Sequence, residues 1–312
     1  MYSNLPVVAV LMSTYNGEKY IREQLDSIFN QKGVDVRLFV RDDGSTDDTV
    51  SIVKEYIKKH PVEIIADGEN VRPGESFMRL VQKYADNSEI EYYSFADQDD
   101  VWLPEKLQTA IEAIGRSDKP TLYSSNQFIY MDGVNKGDRH KEPQRIDLIS
   151  HLTKNTIAGC TFVFNKALAR LISNVEMPDR RILRYRLHDS WLMYVGIVCG
   201  TVIYDQNSYM LYRIHEDNVV GVKKKPFYKR LKRLQRYFVK RDDANLRMIT
   251  AQELLRLYHN YISEKDLMVL GLYADYQKSW KQKRLLAFNN EIRANCLENP
   301  HLFALKVLTN FV

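Results

Sequence analysis

A doubly wound α/β fold is the architecture that this 312-residue chain predicts. Short β-branched apolar runs alternate with segments whose apolar residues recur at helical spacing. Three of the strand-like runs lead into polar clusters, and beyond the carboxyl ends of strands is where such sheets bind ligands. The composition agrees: 45% hydrophobic and 27% charged residues, with 13 Gly and 9 Pro, describe a globular chain with material for one large core. By length it holds about two domains.

Residues 7–12 are apolar and continuous, as a strand buried on both faces requires, and the polar Ser13-Thr-Tyr-Asn-Gly17 follows. Tyr20, Ile21, Leu25, Ile28 and Phe29 then repeat at helical spacing, with Gly33 as a stop. A second strand over 36–40 runs into Arg41-Asp-Asp-Gly-Ser-Thr46, and Val50, Val53 and Ile57 mark a second helix. A third strand is expected over 62–66, a helix over 77–84, and a fourth strand over 92–96. That strand leads into Asp97-Gln-Asp-Asp100 and a helix from Glu105. Beyond Thr121 the pattern is mixed, with strand-like stretches at 161–164, 202–204 and 209–212. After Lys223 the chain reads as helical, and a boundary falls near 220.

The net charge of +5 is unevenly placed: ten Lys/Arg and no acid lie between 223 and 241, so the remainder sums to −5. Phe227, Leu231, Leu234 and Phe238 step by 4, 3 and 4 with basic residues between them, a cationic amphipathic helix over 226–240. It suits an anionic membrane surface, and equally a helix that packs its apolar stripe on the neighbouring domain. Nucleic acid is not an expected partner, because no nucleic-acid module accompanies the charge. Leu254, Leu255, Leu257, Tyr258 and residues 267–276 supply either a small helical core or a homo-oligomer surface. Three widely spaced cysteines show no zinc pattern and suit a reducing compartment. Apolar runs at 7–12 and 195–204 fall short of the ~20 residues of a span, so neither signal peptide nor transmembrane helix is expected.

The acidic clusters carry the chemistry. In Asp97-Gln-Asp-Asp100 each like pair at ~4 Å and an effective dielectric of about 20 costs roughly 4 kcal/mol, so convergence calls for a divalent cation or a proton. Oxygen ligation favours Mg²⁺ or Mn²⁺. The alternative is that Asp99 and Asp100 cap the next helix in solvent. Asp42 and Asp43 can accept from a nucleobase N–H or from ribose hydroxyls. Tyr15 can stack on a base while the backbone of Thr14 bonds to it, with Asn16 alongside; a plain turn is the other reading. Neither a Gly-x-Gly-x-x-Gly fingerprint nor a Gly-Lys-Ser/Thr loop is present, which disfavours simple dehydrogenases and P-loop enzymes.

Met12-Ser-Thr-Tyr-Asn-Gly17, Arg41-Asp-Asp-Gly-Ser-Thr-Asp-Asp-Thr49 and Phe95-Ala-Asp-Gln-Asp-Asp-Val-Trp102, in this order, resemble glycosyltransferase family 2, enzymes of the GT-A fold. The third motif is most similar to the bacterial rhamnosyltransferase-like branch. The resemblance covers about residues 5 to 220. It implies a Rossmann-like mixed sheet in a GT-A catalytic domain over 1–220, followed by a helical C-terminal region over 221–312. It places Ile157-Ala-Gly-Cys-Thr161 beside donor sugar and acceptor, with Gly159 allowing close approach. Leu187-His-Asp-Ser-Trp191 takes the place of the catalytic-base motif, with Asp189 as base, and His188 stands where the family often has a carboxylate. Trp191 would stack on a sugar; an N-cap Asp and a core Trp are the alternative. Within Tyr212-Arg-Ile-His-Glu-Asp-Asn218, His215 would complete a metal site and Arg213 would meet a diphosphate.

The implied metal set is therefore Asp97, Asp99 and His215, holding Mn²⁺ or Mg²⁺. The implied donor set is Thr14, Tyr15, Asn16, Asp42, Asp43, Asp97, Asp100 and Arg213. The implied reaction is inverting sugar transfer from a nucleotide-diphosphate donor, dTDP-rhamnose or a UDP-hexose, to a hydroxyl of a cell-surface glycan or glycoconjugate. The expected location is the cytoplasm, peripheral to the inner face of the plasma membrane. A catalytically silent nucleotide-sugar-binding or membrane-scaffold module is the competing class, and slow donor hydrolysis separates the two.

Overall fold

The computed structural model describes residues 5–215 and 245–312. The boundary near 220 and the basic segment 226–240 lie outside the described residues.

The first strand, β1 (Val7–Thr14), shows why the sequence builds layers. Val8, Val10 and Met12 pack with Ile21, Leu25 and Ile28 of α1 (Ile21–Phe29). Ala9 and Leu11, on the opposite face, pack with Phe77 and Leu80 of α3 (Arg72–Tyr84). The period of two thus feeds two cores from one strand. Each fully buried Val, Leu, Ile or Phe contributes about 1.5–3 kcal/mol. Between these elements lie β2 (Asp35–Asp42), α2 (Thr49–Ile57) and β3 (Val62–Ile65). Helix α3 begins earlier than its first large apolar side chain, because Pro73 occupies the opening turn, where a missing N–H costs nothing.

The chain continues through β4 (Tyr92–Ala96), β5 (Val101–Trp102), α4 (Lys106–Ile114), β6 (Thr121–Met131) and β7 (Val134–Asp138). It then forms α5 (Leu148–Thr153), β8 (Val163–Asn165), α6 (Lys166–Ser173), α7 (Arg180–Tyr185), α8 (Leu187–Cys199) and β9 (Thr201–Arg213). The sheet order is β3-β2-β1-β4-β8-β6-β9-β5, with β7 on β6. Strands β1, β2, β3 and β4 are parallel, so the loops after β1, β2 and β4 emerge at one edge. Strand β8 runs antiparallel to β4 and β6. The alternation therefore describes a parallel sheet only through β4, and the whole is the mixed sheet of the GT-A expectation. The two strand-like stretches near 203 and 211 are one strand, β9, whose polar middle is accommodated by register shifts against β6 at Ser125–Phe128.

Helices α9 (Leu246–Tyr258), α10 (Glu264–Asp275), α11 (Trp280–Ala287), α12 (Asn290–Asn295) and α13 (Pro300–Leu308) complete the described chain. Leu254, Tyr258, Leu270 and Tyr273 join the core that contains Trp191 and Leu192, so these apolar residues serve packing. Arg247 donates to Glu298 Oε1 (2.5 Å) and to the Thr153 carbonyl (3.1 Å), fastening this region to α5. Leaving either charge of such a buried pair alone costs about 3–5 kcal/mol. Among the described residues no helix is long and apolar enough to cross a membrane.

Candidate functional site

The loops after β1 and β2 are knit to each other. Thr14 pairs in register with Asp42, and its Oγ1 donates to Asp42 Oδ1 (2.8 Å). The same carboxylate accepts from the Ser45 hydroxyl (2.5 Å) and from the backbone N–H of Ser45 (2.8 Å) and Gly44 (3.2 Å). Four donors exhaust a carboxylate's acceptor positions. Asp42 is 3% exposed, so the expectation that it holds a base or ribose is corrected: it organises the loop. Asp43 accepts from Arg41 (2.6 Å) and from the N–H groups of Val71 and Arg72 (both 2.8 Å). It keeps one acceptor position but faces the start of α3, holding Arg72 at φ +71°.

Like Asn16 beside it, Tyr15 is exposed, at 50%. Its backbone N–H and carbonyl both bond to the side-chain amide of Gln98 (2.9 and 3.0 Å). This tie requires Gly17, where a Cβ would lie 2.3 Å from Gln98 Oε1. Asn16 sits at φ +47° and accepts from the Thr46 N–H (2.8 Å). The three loops therefore meet, as the sheet topology demands, with Gln98 as a joint that sequence reading passed over.

The loop after β4 is poor in donors. Asp97, Asp100 and Cys160 bring ligating atoms within 4.8 Å of one another. Asp100 is fully buried; Oδ1 accepts from the Arg213 N–H (3.1 Å), and Oδ2 has no hydrogen-bond partner. Burial, then the charges of Asp99 and Asp97, push the Asp100 carboxyl well above its ordinary range. Burial, then Asp99 and Asp189, push Asp97 up to about 7. Buried beneath this loop, Lys106 lies 3.6 Å from the Trp102 ring centroid, its ammonium pulled down to about 7 by desolvation. Such full burial makes Asp100 a wall of the site, correcting the expectation of donor contact.

Asp99 Oδ2 lies 2.7 Å from His215 Nε2, whose ring stands 5.0 Å from that of Tyr20. Carboxylate oxygens with one imidazole are ligands for a divalent ion such as Mn²⁺. The unpartnered buried oxygen belongs to Asp100, which converges with Asp97 and Cys160 rather than with Asp99 and His215, and it marks a loop short of positive charge. The residues fit the ion. Arg213 is differently employed than expected. Its Nε donates to the Asp99 carbonyl (2.8 Å) and Nη2 to Glu23 (2.5 Å), while the guanidinium lies between the rings of Tyr20 (4.7 Å) and Tyr130 (4.8 Å). These contacts make it a brace for the acidic loop, which corrects the diphosphate assignment.

Asp189 lies in the first turn of α8. A Cβ on Gly159 would stand 2.9 Å from both Asp189 Cβ and His188 Nε2, so Gly159 admits the helix start rather than a sugar, correcting its expected use. Burial raises the Asp189 carboxyl to about 6; bonds from Ser190 and the Gly159 backbone and the charge of Arg139 oppose the rise. His188 stacks on Phe77 at 3.9 Å, and burial pulls its imidazole down to about 3. It is a neutral wall whose two ring nitrogens are buried without a hydrogen-bond partner. Trp191 is fully buried, 6.1 Å from the Tyr258 ring, and cannot meet a sugar. Two residues along a helix turn the side chain by about 200°, so Asp189 and Trp191 cannot share one face. Arg139, just after β7, is the residue sequence reading missed: it lies 5.2 Å from the Tyr212 ring. Nothing in its short basic stretch distinguishes it beforehand.

The model of the family described as Glycosyl transferase family 2 matches residues 9–172. The dTDP-rhamnosyl transferase RfbG of Shigella flexneri is 34% identical over 238 residues, covering 70% of this chain and 78% of that protein. The UDP-Glc:alpha-D-GlcNAc-diphosphoundecaprenol beta-1,3-glucosyltransferase WfgD of Escherichia coli is 26% identical over 207 residues, 65% of this chain and 79% of that one. Among solved structures, S. aureus TarS 1–349 in complex with UDP superposes with a TM-score of 0.58 at 18% identity, covering 97% of this chain and 87% of that one. The mannosyltransferase PcManGT of Pyrobaculum calidifontis, in complex with GDP-Man and Mn²⁺, gives 0.50 at 15% identity over 98% and 88%. The two structures support the GT-A fold.

Proposed function

The chain belongs to glycosyl transferase family 2, and from there we propose that it transfers a sugar, with inversion, from a nucleotide-diphosphate donor to a glycan or glycoconjugate hydroxyl. Residues 1–220 would form the catalytic domain, and the helical region 221–312 would extend its core. The rhamnosyl transferase relative favours dTDP-rhamnose as donor. The glucosyltransferase relative supports a UDP-hexose as the alternative. The observation that carries the reading is the meeting of the loops after β1, β2 and β4 at one edge of the sheet, where Asp97, Asp100 and Cys160 bring ligating atoms within 4.8 Å of one another.

Asp189, ionised above about pH 6, would take the proton of the acceptor hydroxyl. The acceptor oxygen would bond to the anomeric carbon on the face opposite the diphosphate. The bond from that carbon to the diphosphate oxygen breaks, its electron pair leaves with the diphosphate, and one displacement inverts the centre. Asp99 and His215 would hold Mn²⁺ or Mg²⁺, with Asp97 beside them. A bound divalent ion supplies positive charge against the departing diphosphate. The exposed ring of Tyr15 offers a surface for the base, while Thr14, Asn16, Asp42 and Asp43 act by fixing its loop. Arg139 would help keep Asp189 ionised.

A thermal-shift panel of nucleotide sugars with Mn²⁺ tests the donor, since selective binding raises apparent stability by mass action. A selective shift with dTDP-rhamnose is expected; a selective shift with a UDP-hexose moves the assignment to that donor. Slow donor hydrolysis by purified protein is expected as well, and its complete absence would favour a silent module.

A further inference from the structure

Thirteen large apolar side chains are exposed among the described residues, and six of them fall between 280 and 305. Scattered exposure needs no explanation, but a cluster does. Helix α11 shows the cause. Trp280, Lys281, Arg284, Leu285 and Phe288 are exposed, with spacings of 1, 3, 1 and 3 that trace one stripe through the helix and its cap. Leu286 and Ala287 face the core, fully buried. An ordinary surface helix turns polar residues to water; this one turns out Trp280 at 63%, Leu285 at 50% and Phe288 at 51% exposure, interleaved with cations. The neighbouring α13 adds Leu302 and Leu305, at 45% and 56%.

Charge names the partner. From 276 to 290 the chain has four Lys/Arg and no Asp or Glu. Neither Lys281 nor Arg284 forms an ion pair among the described residues. We propose that this stripe docks on an anionic lipid bilayer, with Trp280, Leu285 and Phe288 entering the headgroup boundary and Lys281 and Arg284 meeting lipid phosphates. A second copy of the chain fits poorly, because a two-fold contact sets each patch against itself and opposes like charges. The docking surface is separate from the sugar-transfer site and does not rest on the donor or the base assigned above.

The full chain carries its own reporter. Its other tryptophans, Trp102 and Trp191, are 3% and 0% exposed, so a lipid-induced emission change reports on Trp280. Vesicles containing phosphatidylglycerol are expected to shift the emission to the blue, and brominated lipid to quench it. Phosphatidylcholine vesicles should do so far less. L285S/F288S, which keeps the reporter, should weaken vesicle partition about tenfold or more with the far-UV spectrum unchanged. Should that variant fold poorly, K281E/R284E is expected to lose the preference for phosphatidylglycerol. An unshifted emission overturns the proposal, as does equal partition of both variants and the parent, which would move any binding to another segment. Sedimentation showing a dimer that L285S/F288S disperses would also overturn it, making the face a self-contact.

Discussion

Two strand ends of this protein carry acidic clusters that look alike as letters and differ as chemistry. After β2, Asp42 and Asp43 are met by seven donors from the chain, four on one and three on the other. After β4, Asp97, Asp99 and Asp100 stand together with few donors, and Asp100 keeps a buried oxygen without a partner. The first cluster is a fastening between loops. The second is a store of unbalanced negative charge, which a proton or a cation must relieve. Donor supply, rather than carboxylate count, separates the two motifs.

The sharpest break in that comparison comes from Asp189, the carboxylate proposed as the base. Asp189→Asn is expected to lower kcat by about 10²–10⁴, the usual contribution of a general base, with donor affinity nearly unchanged. Initial rates and titration calorimetry check both halves, and near-normal turnover would remove the residue from the chemistry. Next in size, Asp99→Ala should abolish the gain in donor affinity that Mn²⁺ gives the parent, a loss of at least about tenfold. Equal calorimetric affinities for parent and variant in Mn²⁺ would contradict the assignment.

Isosteric changes at the two clusters should act on stability with opposite signs. Asp42→Asn turns an amide toward donors that need an acceptor and should cost about 2–3 kcal/mol, lowering Tm by roughly 5 °C. Asp97→Asn removes a repelled carboxylate and should raise the metal-free Tm by about 1–3 °C. The smallest effect is a pH trend. The folded protein raises Asp97 to about 7 and Asp189 to about 6, so the stability from their protonated forms is full below about 4 and is lost as pH rises through those values. The advantage of Asp97→Asn over the parent should therefore widen from pH 5 to pH 8 in chelator, and a constant difference would count against it.

Much of this was legible beforehand, and the exceptions share a cause. Short continuous apolar runs and helical spacing located β1 to β4 and the loops that meet at their carboxyl ends. The role of Asp42 was not legible, because a carboxylate's availability depends on donors that tertiary structure delivers. For Asp43 those donors are the N–H groups of Val71 and Arg72, 28 and 29 residues away. Gly159 was recognised as a close approach, but what approaches it is Asp189, a partner that only packing reveals. Arg213 was singled out because a guanidinium suits a diphosphate, yet the rings of Tyr20 and Tyr130 claim it. Trp191 could have been excluded earlier, since helix geometry alone turns it away from Asp189.

The central claim is that the donor-poor cluster seats the divalent ion. Electron paramagnetic resonance of Mn²⁺ titrated into protein saturated with dTDP tests it directly, because free Mn²⁺ gives the signal and bound Mn²⁺ loses it. The parent and Asp42→Asn should both remove one equivalent of free Mn²⁺, while Asp99→Asn leaves it in solution. Retention of Mn²⁺ by Asp99→Asn together with its loss from Asp42→Asn would contradict the account.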